Sequence, residues 1–465
     1  MGLAIGGAGD GEPDKHPPKV PPAQARGGPP GRAEVPVNRL ESAAMSPTRQ
    51  DQRSCPADSG SRRELVTRPV SENQGLDELF ESSLPAFGGA YLRRIWTLLD
   101  EAVGRGLPMT LAVSGPVTVS GQHHTWLGPL LDTGWFCLLS TTDAVCYHDG
   151  HRSLDSAAEH PFHEVPIFGD DGALRDESTI RVTDVGFDEA VLLDQDRYLR
   201  AVLRQPEFQR RMTGPEFRSL LGRRFAAQER HNQVPEGLLA LCHRKAIPIF
   251  VGAPADGSVF LNSMHLWATR EGYAFDLDLH GEVFESCAYH RWGIRESDSK
   301  ALGTLILGGG VPKNFNLQPE PALSQVFGFA DIAGYLYDIQ LTTAPITEGS
   351  LSSCPPAEAV TWGKVDKDHY QQTCESMNVD YSIVMPFLVK ALLDKRERFE
   401  RWAERMGPEE LFAKHPEARG YLRDTAGYRL LERREELIAK LRADVEQDRA
   451  RLESESEYPL APLEE

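Results

Sequence analysis

The stretch Glu358-Ala359-Val360-Thr361-Trp362-Gly363-Lys364 brings together three residue types that can handle an amine. An indole face attracts an ammonium group. A carboxylate supplies a counter-charge. A lysine kept out of water titrates lower and becomes a nucleophilic amine able to form an imine. Trp362 stands two residues before Lys364, and Glu358 six before it. On spacing alone the plainer reading is favoured: a surface lysine at a strand-to-helix turn, beside a core tryptophan.

A second stretch, Gly308-Gly309-Gly310-Val311-Pro312-Lys313-Asn314-Phe315, follows the apolar run 304–307. Glycines after a buried strand let a ligand approach the backbone. A helix starting near Pro312 would point its N-terminus at a pyrophosphate. The pattern is not the GxGxxG fingerprint, so motif rules alone do not assign a dinucleotide. The turn Ser114-Gly115-Pro116-Val117-Thr118-Val119-Ser120 is a weaker phosphate-loop candidate. Asp256 and Asp380 fit either a ribose ligand or a helix cap. His123-His124 and His148-Asp149 lack partners at metal-ligand spacing, so no metal is expected. No Gly-x-Ser-x-Gly elbow is present, which lowers the odds of a serine hydrolase.

The elements that must position these residues follow from periodicity. Helices are expected over 76–84 and 90–104, and an amphipathic one over 208–228. Short apolar runs at 108–113, 134–139, 247–251, 304–307, 335–341 and 381–384 are candidate strands. Five of the six end in Ser, Thr, Asp or Gly, which favours a nucleotide-type crevice beyond the strands' carboxyl ends. Together they predict an α/β fold: a Rossmann-like open, mostly parallel sheet with flanking helices. Residues 1–70 are rich in Pro, Gly, Ala and Arg and poor in aromatics, and are expected to be a disordered tail. Residues 71–405 would form the catalytic domain and 406–465 a charged helical extension. A long amphipathic helix over 428–453 would pack on a partner subunit or lie solvated.

Of the 465 residues 40% are hydrophobic, enough for a substantial core, and the formal net charge is −19. That charge argues against a nucleic-acid partner and suits cationic substrates. No run approaches the roughly 18 apolar residues of a membrane helix. The N-terminus resembles neither a signal peptide nor a myristoylation site. Seven widely spaced cysteines without a CxxC pair read as free thiols in a reducing cytoplasm.

The segment Gly349-Ser350-Leu351-Ser352 through Glu358 to Val365 resembles the signature of the deoxyhypusine synthase family. So do Arg175-Asp176-Glu177-Ser178, Pro206-Glu207-Phe208-Gln209-Arg210 and the triple-glycine stretch. The bacterial deoxyhypusine synthase-like proteins are especially similar, over roughly residues 76–393. The resemblance implies a homotetramer with NAD at subunit interfaces and a redox-neutral transfer. NAD takes a hydride from spermidine, the aminobutyl imine passes to Lys364 and then to an acceptor amine, and retained NADH reduces it. By the same resemblance Glu358, Trp362, Asn314, Gly349 and Ser350 meet the polyamine. Ser120, Thr141, Thr142, Asp256, Gly308, Gly309, Thr343, Ala344, Glu348 and Asp380 meet NAD. Departures from the family are Asn314 for a histidine, and Leu351 and a position near Leu261 for aspartates. These suggest an altered substrate, with a small amine such as putrescine or agmatine as acceptor. Formation of deoxyhypusine on a translation factor and a silent NAD-binding scaffold are the alternatives.

Overall fold

The computed structural model describes residues 65–154, 161–455, 458–461 and 463. The expected disordered tail lies outside the described residues up to residue 64. Arg68 already touches the folded body, its amide donating to Ser82 O at 3.1 Å.

Six strands form the central sheet: β1 Met109–Val113, β2 Phe136–Thr141, β3 Ile249–Val251, β4 Gly303–Leu307, β5 Tyr337–Thr342 and β6 Cys374–Asn378. Their spatial order is β6-β5-β4-β1-β2-β3, and every adjacent pair is parallel. This is the doubly wound order of dinucleotide-binding sheets. All residues of β1, β2, β4 and β5 are buried, which explains why apolar residues dominate them.

The expected sixth strand at 381–384 is corrected. Those residues open a helix, Tyr381–Met406, whose first turn is capped by Asp380 accepting from Ser382 N at 2.9 Å. The actual edge strand is Cys-Glu-Ser-Met-Asn, half-exposed and without an apolar run, and pairing with β5 creates it.

The helices that matter below are α1 Phe87–Gly104, α2 Ser258–Thr269, α3 Leu279–Arg295, α4 Gly310–Leu317, α5 Tyr381–Met406 and α6 Arg434–Gln447. On α1 the buried face is Ile95, Trp96, Leu98 and Leu99. The amphipathic helix expected at 208–228 runs Gly214–Asn232, with Pro215 in its first turn. Before it the chain builds a small antiparallel sheet of His163–Glu164, Thr179–Val182 and Val185–Asp188, which periodicity did not reveal.

The C-terminal extension is broken into a 3-10 turn Leu430–Arg433, α6 and a last helix Arg449–Glu455. It packs on its own chain. Leu430, Leu437 and Leu441 join Cys137, Leu138 and Phe250 behind the sheet. Asp444 accepts from Arg291 Nε at 2.5 Å and also pairs with Arg295, while Lys440 meets Glu296 at 2.7 Å. Among the described residues no helix is long and apolar enough to cross a membrane.

Candidate active site

The strand order reverses between β1 and β4, so the chain leaves these neighbours in opposite directions and opens a crevice at their carboxyl ends. The two exits are stitched together. Ser114 N donates to Leu307 O at 3.0 Å and Gly309 N donates to Ser114 Oγ at 3.1 Å. Gly308 has φ +88°, and a Cβ there would stand 2.0 Å from Ser114 Oγ, so only glycine serves. Tyr381, on the helix that sequence reasoning took for a strand, donates its hydroxyl to Ser114 O at 2.6 Å.

Two clefts flank Ser114. The first, of about 900 Å³, is lined by Ser120, Gly308, Thr343 and Asp380, with Thr183 and Asp184 at the tip of the small sheet's hairpin. The second, of about 630 Å³, is lined by Thr141, Thr142, Asp256, Gly309 and the first turn of α4. A Cβ on Gly310 would meet nothing, so the N-terminus of α4 faces open space. Eight of the ten residues expected to meet a cofactor thus line these two clefts. Thr141 is fully buried and its hydroxyl donates to Val113 O at 2.8 Å. Ala344 and Glu348 line neither cleft. Ala344 O accepts from Asn378 Nδ2 at 3.2 Å. Glu348 is half-buried and accepts from Ser350 and Ser352, and these bonds hold its carboxyl below the usual range. Asp256 is exposed, and the buried Asp143 behind it is pushed up to about 6 by burial while accepting from Val259 N at 3.0 Å.

Lys364 and Trp362 exchange the environments that the plainer reading assigned them. Trp362 is 57% exposed, and Lys364 is half-buried. The amine lies 3.5 Å from Asn314 Oδ1 on α4 and 5.9 Å from the centre of the Trp362 ring. Burial lowers its pKa, against the opposing pull of Cys354 and Glu320. The segment is clamped by its backbone: Tyr335 N donates to Lys364 O at 2.9 Å and Lys364 N donates to Ala359 O at 3.1 Å. Glu358 sits exposed in the short helix Pro356–Val360.

Gly349 and Ser350 are exposed in the loop before this helix, together with Leu351, which is 61% exposed and holds φ +60°. Leu261 is also exposed, on α2. Sequence reasoning missed what fastens the loop. Lys313 is buried and donates to Gln340 Oε1 at 3.1 Å, Cys354 O at 2.8 Å and Ser352 O at 3.4 Å. Gln340 Nε2 donates to Ser352 O at 2.6 Å. The signal for Lys313 was its place in the triple-glycine stretch, and Gln340 carried none. Among the described residues no group of three His, Cys, Asp or Glu could hold a metal ion.

Comparison with known proteins agrees with this geometry. The deoxyhypusine synthase family profile matches residues 78–392. A deoxyhypusine synthase-like protein of Cyanothece sp. is 36% identical over 339 residues, covering 71% of this chain and 82% of the relative. One of Thermosynechococcus vestitus is 36% identical over 336 residues, covering 71% and 81%. One of Nostoc punctiforme is 34% identical over 337 residues, covering 72% and 83%. Family membership supports a transferase, and the crevice, the triple-glycine turn and the Trp-Gly-Lys segment all lie inside the matched span. The chain belongs to the deoxyhypusine synthase family, alongside its bacterial deoxyhypusine synthase-like members.

Proposed function

We propose that the protein is an NAD-dependent aminobutyltransferase that moves the aminobutyl group of spermidine or a related polyamine to a small acceptor amine. The observation that carries this is the position of the Lys364 amine. It is half-buried, it faces an indole, and it reaches the helix that starts at the triple-glycine turn. A lysine depleted of water spends more time as the neutral amine, which attacks an imine carbon. Trp362 would hold the substrate's ammonium end by its ring face, and Glu358 would neutralise it. Asn314 would orient the Lys364 nitrogen.

The two clefts fit a dinucleotide because the α4 N-terminus faces open space and Gly308 lets the backbone come close. Ser120, Thr141, Thr142, Asp256, Gly308, Gly309, Thr343 and Asp380 would hold it, with Ala344 and Glu348 supporting the adjoining loop. NAD, when bound, supplies the hydride acceptor and donor that keeps the transfer redox-neutral. A homotetramer is part of the proposal, supported by apolar faces a single chain leaves uncovered. Leu261, Met264 and Trp267 are exposed on α2, and Ile383 and Phe387 on α5. Six unpaired cysteines among the described residues fit action in the cytoplasm.

The test is incubation with NAD and spermidine. Release of 1,3-diaminopropane and a borohydride-trapped adduct on Lys364 are expected, with both lost in Lys364→Ala. Chromatography against putrescine, agmatine and a lysine-bearing translation factor then identifies the acceptor. An adduct undiminished in Lys364→Ala would refute the nucleophile.

A further inference from the structure

Glu320 is a carboxylate in an unlikely place. It is 3% exposed, in the short helix Pro319–Pro321 that continues α4, and its Oε2 finds no hydrogen-bond partner among the described residues. Ser324 gives the carboxylate one hydrogen bond, and leaving its other oxygen buried without a partner is expensive unless it serves something nearby. What it faces is the peptide before Lys364. A Cβ on Gly363 would stand 2.6 Å from Glu320 Oε2 and 2.8 Å from Oε1. Gly363 also holds φ +79°, so this residue is glycine on two counts: its backbone turn, and the space the carboxylate occupies. The turn that follows, Ala322–Val326, is tied to the segment as well, by Gln325 Nε2 donating to Trp362 O at 2.9 Å. The chain that carries Glu320 is therefore held at two points against the backbone just before Lys364.

Building on the transferase reading above, we propose that Glu320 is the proton-accepting partner of Lys364, a positioning residue that takes the ammonium's proton as the amine becomes a nucleophile. The exchange balances. The Lys364 ammonium loses one proton, the Glu320 carboxylate gains it, and a neutral amine faces a neutral acid, with one bridging water or the substrate's own nitrogen carrying the proton. When the lysine leaves at the end of the transfer, the acid returns it. Burial favours this exchange, because it pushes the Glu320 carboxyl up and the Lys364 amine down, so ion pair and neutral pair approach each other in energy. The other titratable groups around the amine are Cys354, the buried Lys313 and the exposed Glu358.

The test reads Lys364 without cofactor or polyamine, so it stands apart from the transferase assay. Imine formation between Lys364 and butanal, trapped with cyanoborohydride and quantified at that residue by mass spectrometry, is followed from pH 6 to pH 11. In Glu320→Gln the midpoint of the rise is expected to move down by about one pH unit, since a stabilising negative charge is gone. The plateau rate is expected to fall by about tenfold or more, since the carboxylate no longer takes the proton that the attacking nitrogen sheds as the carbinolamine forms. Glu320→Asp should lie between the two. A merely structural role would slow the reaction without moving the midpoint, and a mere counter-charge would move the midpoint without slowing it. Either result overturns the proposal, as does a variant indistinguishable from wild type. Circular dichroism and an unchanged melting temperature exclude misfolding. If Glu320→Gln does unfold, Glu320→Asp decides alone: a downward midpoint shift together with a lower plateau rate supports the pairing, and the absence of either refutes it. Failure of wild type to act on any polyamine would sink the transferase reading and leave this measurement intact.

Discussion

Replacing Lys313 by methionine keeps the length of the side chain and removes its charge from a buried junction. Three acceptors then lose a donor: Gln340 Oε1, Cys354 O and Ser352 O. Ser352 O keeps Gln340 Nε2 at 2.6 Å, so the uncompensated loss centres on Cys354 O and Gln340 Oε1. Hydrogen bonds from a charged donor contribute about 1.5–3 kcal/mol each. We take about 3 kcal/mol. With an unfolding entropy of roughly 2.1 cal/mol/K per residue over about 400 ordered residues, this lowers Tm by about 4 °C. The loss should depend on pH. Asp338 is fully buried, and burial pushes it up to about 7 against the pull of Lys313. An acid whose folded pKa is raised binds a proton the unfolded chain has released, so its contribution to stability falls as pH rises from the unfolded value near 4 to the folded value near 7. Without Lys313 the folded pKa climbs further, and the decline continues above pH 7. The deficit of Lys313→Met relative to wild type is therefore expected to be smaller at pH 5.5 and larger at pH 8.5. Calorimetry at the two pH values measures this, and hydrogen exchange should show faster opening of residues 345–356. A deficit independent of pH, or an unchanged loop, would refute the role assigned to Lys313.

Other substitutions separate binding, chemistry and stability. Gly308→Ala places a side chain at φ +88° and 2.0 Å from Ser114 Oγ, so isothermal titration should show NAD affinity falling at least tenfold, with partial recovery on adding Ser114→Ala. Trp362→Ala removes the exposed ring beside the amine, and about 1–2 kcal/mol of cation–π attraction corresponds to a roughly 5- to 30-fold rise in KM for polyamine, with little change in kcat. Lys395 forms a buried pair with Asp100 at 2.6 Å, and Tyr421 also donates to Asp100 at 2.6 Å. Lys395→Met should cost about 3–5 kcal/mol in denaturant unfolding yet leave butanal trapping on Lys364 unchanged.

What was legible in the sequence follows from what burial does to composition. Strands β1, β2, β4 and β5 are covered on both faces, so each is rich in apolar residues and could be found without coordinates, even though β5 also buries Asp338 and Gln340. The edge strand Cys374–Asn378 is half-exposed and carries no such run. It exists because β5 offers it a hydrogen-bonding partner, so the apolar residues just after it were mistaken for the strand. The C-terminal helices showed their apolar spacing, but spacing does not say whose surface covers it, and the answer was α3 and the sheet of the same chain.

By itself the sequence determined the open, mostly parallel α/β sheet, the glycine-rich turn that follows one of its strands, the family, and Lys364 with Trp362 and Glu358 as the residues to test. Those are local properties, set by runs, turns and a contiguous motif. Only the tertiary structure decided that Trp362 is exposed and Lys364 half-buried, and that Lys313 and Gln340 fasten the loop in front of them. It alone brought the Glu320 carboxylate against Gly363. A pKa and a hydrogen bond depend on what the fold brings within a few ångströms, and residues distant in the chain leave no periodic trace of that meeting.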